Sequence, residues 1–210
     1  MSIIESTAST AKKAVKYVLD KGISGVPPLV GSEKLAQEYL LDVGYQQNHD
    51  RVKSLIRRET SKNFTSGFLT GLGGLITMPI SVPSALGASW ILQARMAGAI
   101  ARIYGHDLDD DRVRTFVLLS LAGDSASSVV KDAGIQIGRK LTEKAIAAIP
   151  GRALIEINKA VGFRLITKAG EKGVVNLTKA VPIAGGIVGG GLDALSCRVV
   201  GRTAQKLFRR

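Results

Sequence analysis

Residues 84–104 read SALGASWILQARMAGAIARIY, and most of the architecture follows from how this stretch is read. It is predicted as a helix: Ser84 can cap its start and Gly105 can stop it. Ala85, Ala88, Ala94, Ala97 and Ala101 are small enough to let neighbouring helices approach closely. Two residues break the apolar pattern. Arg95 and Arg102 lie seven apart on one face, with Ser84 on the same stripe. A buried arginine needs a partner, and the acids at Asp107–Asp111 just downstream are the candidates.

Working upstream, residues 63–94 carry no charged side chain at all. Pro79 and Pro83 bracket the short segment ISV, and proline disfavours helix both at itself and just before it. The stretch therefore reads as two helical arms, 64–77 and 84–104. A first arm of that length spans about 21 Å at 1.5 Å per residue, short of a roughly 30 Å hydrocarbon core. The second arm is long enough, but Arg95 and Arg102 interrupt it. A simple transmembrane span is not expected. A helical hairpin buried in the protein, or dipping into one leaflet, fits both arms. Phe64, Phe68, Leu72, Leu75, Ile76, Ile80, Val82 and Trp90 are its candidate apolar-contact residues.

The whole chain has 210 residues, 45% of them hydrophobic, which excludes wholesale disorder. It carries 29 basic and 17 acidic residues, a net charge of +12. The excess is uneven: residues 115–210 hold 15 basic and 6 acidic groups, net +9. A second glycine-rich segment, AVPIAGGIVGGGL at 180–192, offers the G-x-x-x-G pairs Gly185/Gly189 and Gly186/Gly190. Such spacing allows close helix contact in a membrane or in a soluble bundle.

The rest of the chain also reads as helix. Residues 3–20 place Ile4, Ala8, Ala11, Val15 and Val18 on one stripe, with Lys12, Lys13 and Lys16 off it. Gly22, Gly25, Pro27, Pro28 and Gly31 then read as a linker, separating an N-terminal helix (1–31) from the domain proper (32–210). Ser32 can cap a helix through Leu41. Further helices are expected from about Asp50, at 112–122, 126–133, 135–148, 151–169, 171–180 and 184–207. No convincing strand alternation occurs, so an all-α, single multi-helix domain is predicted. The first residues do not fit a secretory signal, because Glu5 and three lysines interrupt the apolar run. With a lone cysteine, Cys197, a cytoplasmic protein is expected.

Motifs for chemistry mostly fail. Asp107, Asp109 and Asp111 match the opening of an EF-hand loop, but Arg112 stands where glycine is needed and Leu118 where the closing glutamate belongs. These acids are read instead as favourable charges at a helix N-terminus. No phosphate-binding glycine loop, no H-E-x-x-H and no G-x-S-x-G occurs. His49 and His106 each adjoin an aspartate, which offers acid–base chemistry only if both groups face one pocket. Two histidines and one cysteine leave little material for a metal site, so no metal and no cofactor are expected.

Positive charge says more. Arg164, Lys168 and Lys172 recur every four residues, with Arg152 and Lys159 nearby, and are the candidate phosphate or headgroup ligands. A break at Gly170 would separate Lys172 from the others. Nucleic acid fits less well, because aromatics are sparse and no recognised module appears.

Several blocks are familiar. TSGFLTGLGGLITMP at 65–79, Tyr104-Gly-His-Asp-Leu followed by Asp111-Arg-Val-Arg-Thr115, KAVGFRLITKAGEKG at 159–173 and AVPIAGGIVGGG at 180–191 resemble the EcsC family. The resemblance covers residues 32–208. It implies a bacterial, mostly helical protein working near the membrane, with no catalytic residues to carry over. The family takes its name from an operon that also encodes an ABC transporter. The expected function is thus non-enzymatic: a membrane-associated helical protein on the inner face of the cell membrane. Its expected partners are an anionic lipid surface, a membrane protein such as a transporter, or a second copy of itself. The alternative is a soluble all-α module that binds a protein or an apolar ligand, with both glycine-rich segments in its own core.

Overall fold

The computed structural model describes residues 3–64, 84–134, 146–178 and 184–209. The chain is all-α apart from one small hairpin. In order come α1 (Ile3–Ser24), the strands β1 (Gly25–Val26) and β2 (Leu29–Val30), α2 (Ser32–Leu40), α3 (Asn48–Phe64) and α4 (Ser84–Ile103). These are followed by α5 (Asp111–Ser120), a 3-10 turn (Gly123–Ser125), α6 (Ala126–Asp132), α7 (Gly151–Thr178) and α8 (Ala184–Phe208).

Helix α4 is the axis of the fold. Every residue from Gly87 to Ala101 is buried, and α1, α2, α3, α5 and α8 all pack on it. A helix that is apolar all round has no face to give to water, so it is stable only when enclosed. Its small residues set how tightly. A Cβ built on Gly98 would fall 2.9 Å from Ser32 Cβ and closer still to its Oγ. Where α1 crosses, a Cβ on Gly22 would fall 2.7 Å from Ala94 Cβ. The helix ends as its sequence predicts. Gly105 has φ +83°, Gly105 N–H donates to the Arg102 carbonyl (2.9 Å) and His106 N–H to that of Ala101 (3.0 Å). These two bonds close a left-handed C-terminal cap.

Trp90 belongs to this core. It is only 5% exposed, so its apolar contacts are with the protein's own core and not with a lipid phase. The apolar neighbours of residues 87–94 are the protein's own helices, because α4 is surrounded on all sides. Phe68, Leu72, Leu75, Ile76, Ile80 and Val82, and the side chain of Phe64, lie outside the described residues. Among the described residues no helix is long and apolar enough to cross a membrane.

Three local readings also change. Residues 25–30 are not a linker but a two-stranded antiparallel turn, with Gly25 opposite Val30 and Val26 opposite Leu29. Helix α1 before it buries Ala14, Val15 and Val18 and packs on α4 and α7. Ser32 is no cap: its buried hydroxyl lies 3.0 Å from the Arg95 carbonyl and 3.2 Å from that of Gly22. It therefore joins α1, α2 and α4. Finally, α7 runs unbroken through Gly170, since a single glycine costs a helix only about 1 kcal/mol.

Both histidines hold α8 in place. His106 Nε2 lies 3.0 Å from the Phe208 carbonyl, and His49 Nδ1 lies 3.1 Å from Gln205 Nε2. His106 is buried and Asp107 is exposed, so the two do not face one pocket. Nearby, burial raises the pKa of the Tyr104 phenol above 10.0, against lowering effects from Gln205 and Arg209. The neutral phenol is favoured in the fold, so this contribution is complete below pH 10 and is lost as pH rises through the folded-state value. Thermal melts should fall in midpoint above pH 10, and Tyr104→Phe should make that fall shallower. An identical alkaline limb in the variant would remove Tyr104 as a cause.

Candidate anion-binding surface

The basic residues fall into two groups, those paired with a carboxylate of the protein and those left facing solvent. Arg95 and Arg102 belong to the first. Arg95 is 3% exposed and pairs with the equally buried carboxylate of Glu59. Its Nη1 also donates to the Val30 carbonyl at 3.4 Å, and Lys62 reaches Glu59 at 3.0 Å. Arg102 pairs with Glu33 at 2.8 Å in a half-exposed bridge. The acids at 107–111 are therefore not their partners, which corrects that expectation. They are committed locally instead: Asp110 caps α5 by accepting from Arg112 N–H at 2.8 Å, and Asp107 accepts from Asp109 N–H at 3.0 Å. Arg114 and Lys16 share Asp20, at 2.6 and 2.8 Å.

Two members of the predicted headgroup set on α7 have partners as well. Lys159 pairs with Glu156 at 2.9 Å. Arg164 turns back to the Ser125 carbonyl (3.4 Å) and Ser128 Oγ (3.3 Å). Arg152 is exposed at the start of the helix. Lys168 and Lys172 lie on the same helix, and their side chains lie outside the described residues. The described members of the set do not converge on one anion site.

A second group does converge. On α8 and the residue that follows it, Arg198, Arg202, Lys206 and Arg209 are all exposed, and steps of four, four and three keep them on one face. On α3, Lys53 and Arg57 are exposed one turn apart. The two helices pack against each other and run antiparallel. His49 meets Gln205 near one end, and further along Ile56 lies against Gly201, where an added Cβ would fall 2.9 Å from Ile56 Cγ1. At 3.6 residues per turn, Lys53 and Arg57 follow His49 and Ile56 round the outer side of α3. Arg198, Arg202 and Arg209 follow Gly201 and Gln205 in the same way. The two rows therefore flank one seam. Among the described residues none of these six cations makes an ion pair, and Asp50 is the carboxylate that shares the face.

Exposed apolar side chains lie at both ends of the seam. Leu195, on the turn of α8 before Arg198, is 60% exposed. At the other end, the loop between α2 and α3 presents Leu41 at 80% and Val43 at 96%. The stems of this loop are fixed. Arg51 Nε donates to the Tyr39 carbonyl at 2.9 Å, and the Tyr45 hydroxyl donates to Ser54 Oγ at 2.7 Å. Tyr45, Asp50, Lys53, Ser54 and Arg57 line a cleft of about 240 Å³ between loop and seam. A larger cleft of about 410 Å³ lies elsewhere, between α1, α5 and α7, with Arg114, Asn158 and Ile155 in its lining. Among the described residues no three His, Cys, Asp or Glu side chains are grouped to hold a metal ion.

Sequence reasoning missed the α3–α8 seam. The α8 row was visible in its spacing, but its alignment beside Lys53 and Arg57 depends on a pairing of helices about 150 residues apart in the chain.

Fold and surface together define an all-α domain packed round one enclosed helix, with a basic seam on its outside that no described carboxylate pairs. The model of the EcsC protein family matches residues 2–210. The chain belongs to the EcsC family, as its glycine-rich blocks implied. No curated protein and no solved structure matches it.

Proposed function

We propose that this protein acts by binding rather than by chemistry, docking on an anionic membrane surface through the α3–α8 seam. The observation that carries the reading is the row of six exposed cations, none paired among the described residues, with exposed leucine and valine side chains at both ends. Each Lys or Arg held at an anionic bilayer is worth about 1 kcal/mol. Apolar side chains beside such a row gain by entering the interface. A nucleic acid would use the cations but would leave Leu41, Val43 and Leu195 in water. The described parts of α3 and α8 also expose no aromatic ring for base stacking.

Sedimentation with vesicles tests the proposal. The protein should pellet with phosphatidylcholine vesicles containing phosphatidylglycerol at low salt, and should stay in solution with pure phosphatidylcholine. High salt should release it, because exposed charges are screened within about 10 Å at 0.1 M. Arg198→Ala, Arg202→Ala and Lys206→Ala together should weaken binding roughly 100-fold, at about 1 kcal/mol per residue. Arg152→Ala with Lys159→Ala should change it little. Failure to pellet with the anionic vesicles at low salt would sink the reading.

A further inference from the structure

We infer that the cleft between the α2–α3 loop and the seam takes the phosphodiester of a single glycerophospholipid, with Leu41 and Val43 entering the acyl layer beside it. The inference rests on the docking reading and goes further, because it assigns one lipid to one place.

Lys53 and Arg57 sit one turn apart on α3, spaced to hold two oxygens of one phosphate. Tyr45 spends its hydroxyl proton on Ser54 Oγ. Ser54's own proton is then left to donate, since no described group accepts it. Asp50 limits the charge. Two cations and one carboxylate leave a net +1, which matches a phosphodiester with its single negative charge. The cleft, about 240 Å³, has room for a headgroup.

The loop decides the source of that phosphate. Tyr45 lines the cleft, and Val43 stands two residues before it, almost fully exposed. The carboxylate of Asp42, between Leu41 and Val43, is turned back to accept from Gly44 N–H at 2.9 Å. The tip that projects is therefore apolar, on stems fixed by Tyr39, Arg51 and Ser54. A free phosphate ester would fill the cleft and leave this tip in water. A lipid satisfies both at once.

The test uses Val43→Cys carrying an environment-sensitive fluorophore; the native Cys197 is buried and is not labelled in the folded protein. On phosphatidylglycerol vesicles the probe should brighten and shift to the blue, and lipids brominated on the acyl chain should quench it. Lys53→Ala with Arg57→Ala should abolish the probe response while Arg198, Arg202, Lys206 and Arg209 still bring part of the protein down with the vesicles. Sedimentation without any probe response, or a response unchanged by the double substitution, overturns this inference and leaves docking intact. Absence of sedimentation overturns both. Competition by soluble glycerophosphoglycerol as effective as that by the lipid would assign the cleft to a free phosphodiester and overturn the lipid.

Discussion

Glu59→Ala should destabilise the protein by about 3–5 kcal/mol, the usual cost of leaving one half of a buried ion pair uncompensated. Arg95 is 3% exposed and sits on the most enclosed helix of the fold. Without the Glu59 carboxylate its guanidinium keeps the 3.4 Å contact to the Val30 carbonyl and gains no solvent. Lys62 also loses its carboxylate, though it is half exposed and recovers hydration. Urea unfolding measures the loss. The pair is not needed for stability as such: Glu59→Leu combined with Arg95→Met should recover most of it, because a well-packed apolar pair avoids desolvating two charges. A single-variant loss below about 1 kcal/mol would place the pair in the range of solvated bridges and contradict the burial.

Gly98→Val should cost about 2–3 kcal/mol. The added Cβ alone would stand 2.9 Å from Ser32 Cβ, well inside van der Waals contact, and overpacking of this kind costs roughly 1–3 kcal/mol. Ser32 cannot step aside, because its hydroxyl lies between the carbonyls of Gly22 and Arg95. The crossing of α2 over α4 must open instead. Thermal unfolding of Gly98→Ala, Ser32→Gly and the double variant would separate crowding from helix propensity. If crowding dominates, the double variant should be more stable than the two single losses predict when added. Strict additivity would mean that the helices do not cross as closely as described.

These predictions mark where sequence reasoning stopped. That Arg95 needed a partner was legible, because a charge in an apolar helix is costly wherever that helix lies. The partner was not. Reasoning from spacing looks along the chain to the nearest acids, and Asp107–Asp111 were nearest, yet they serve the turns and the helix start that they precede. Glu59 lies on another helix, 36 residues upstream. The reading of Arg164 met the same limit. Arg164 was judged by its periodicity alone, while Ser125 and Ser128 hold it from a turn and the start of α6, which the sequence does not place beside it.

By itself the sequence determined the local and the compositional: the all-α class, the extent of α4, its stop at Gly105, and the family. Those follow from propensity, from the capping chemistry of short segments, and from apolar periodicity that no rearrangement of the fold could reverse. Tertiary structure alone decided which charges are neutralised and which stay free, because neutralisation depends on distances between segments far apart in the chain. It also enclosed Trp90, turned a glycine–proline linker into a packed hairpin, and laid Lys53 and Arg57 along the basic row of α8.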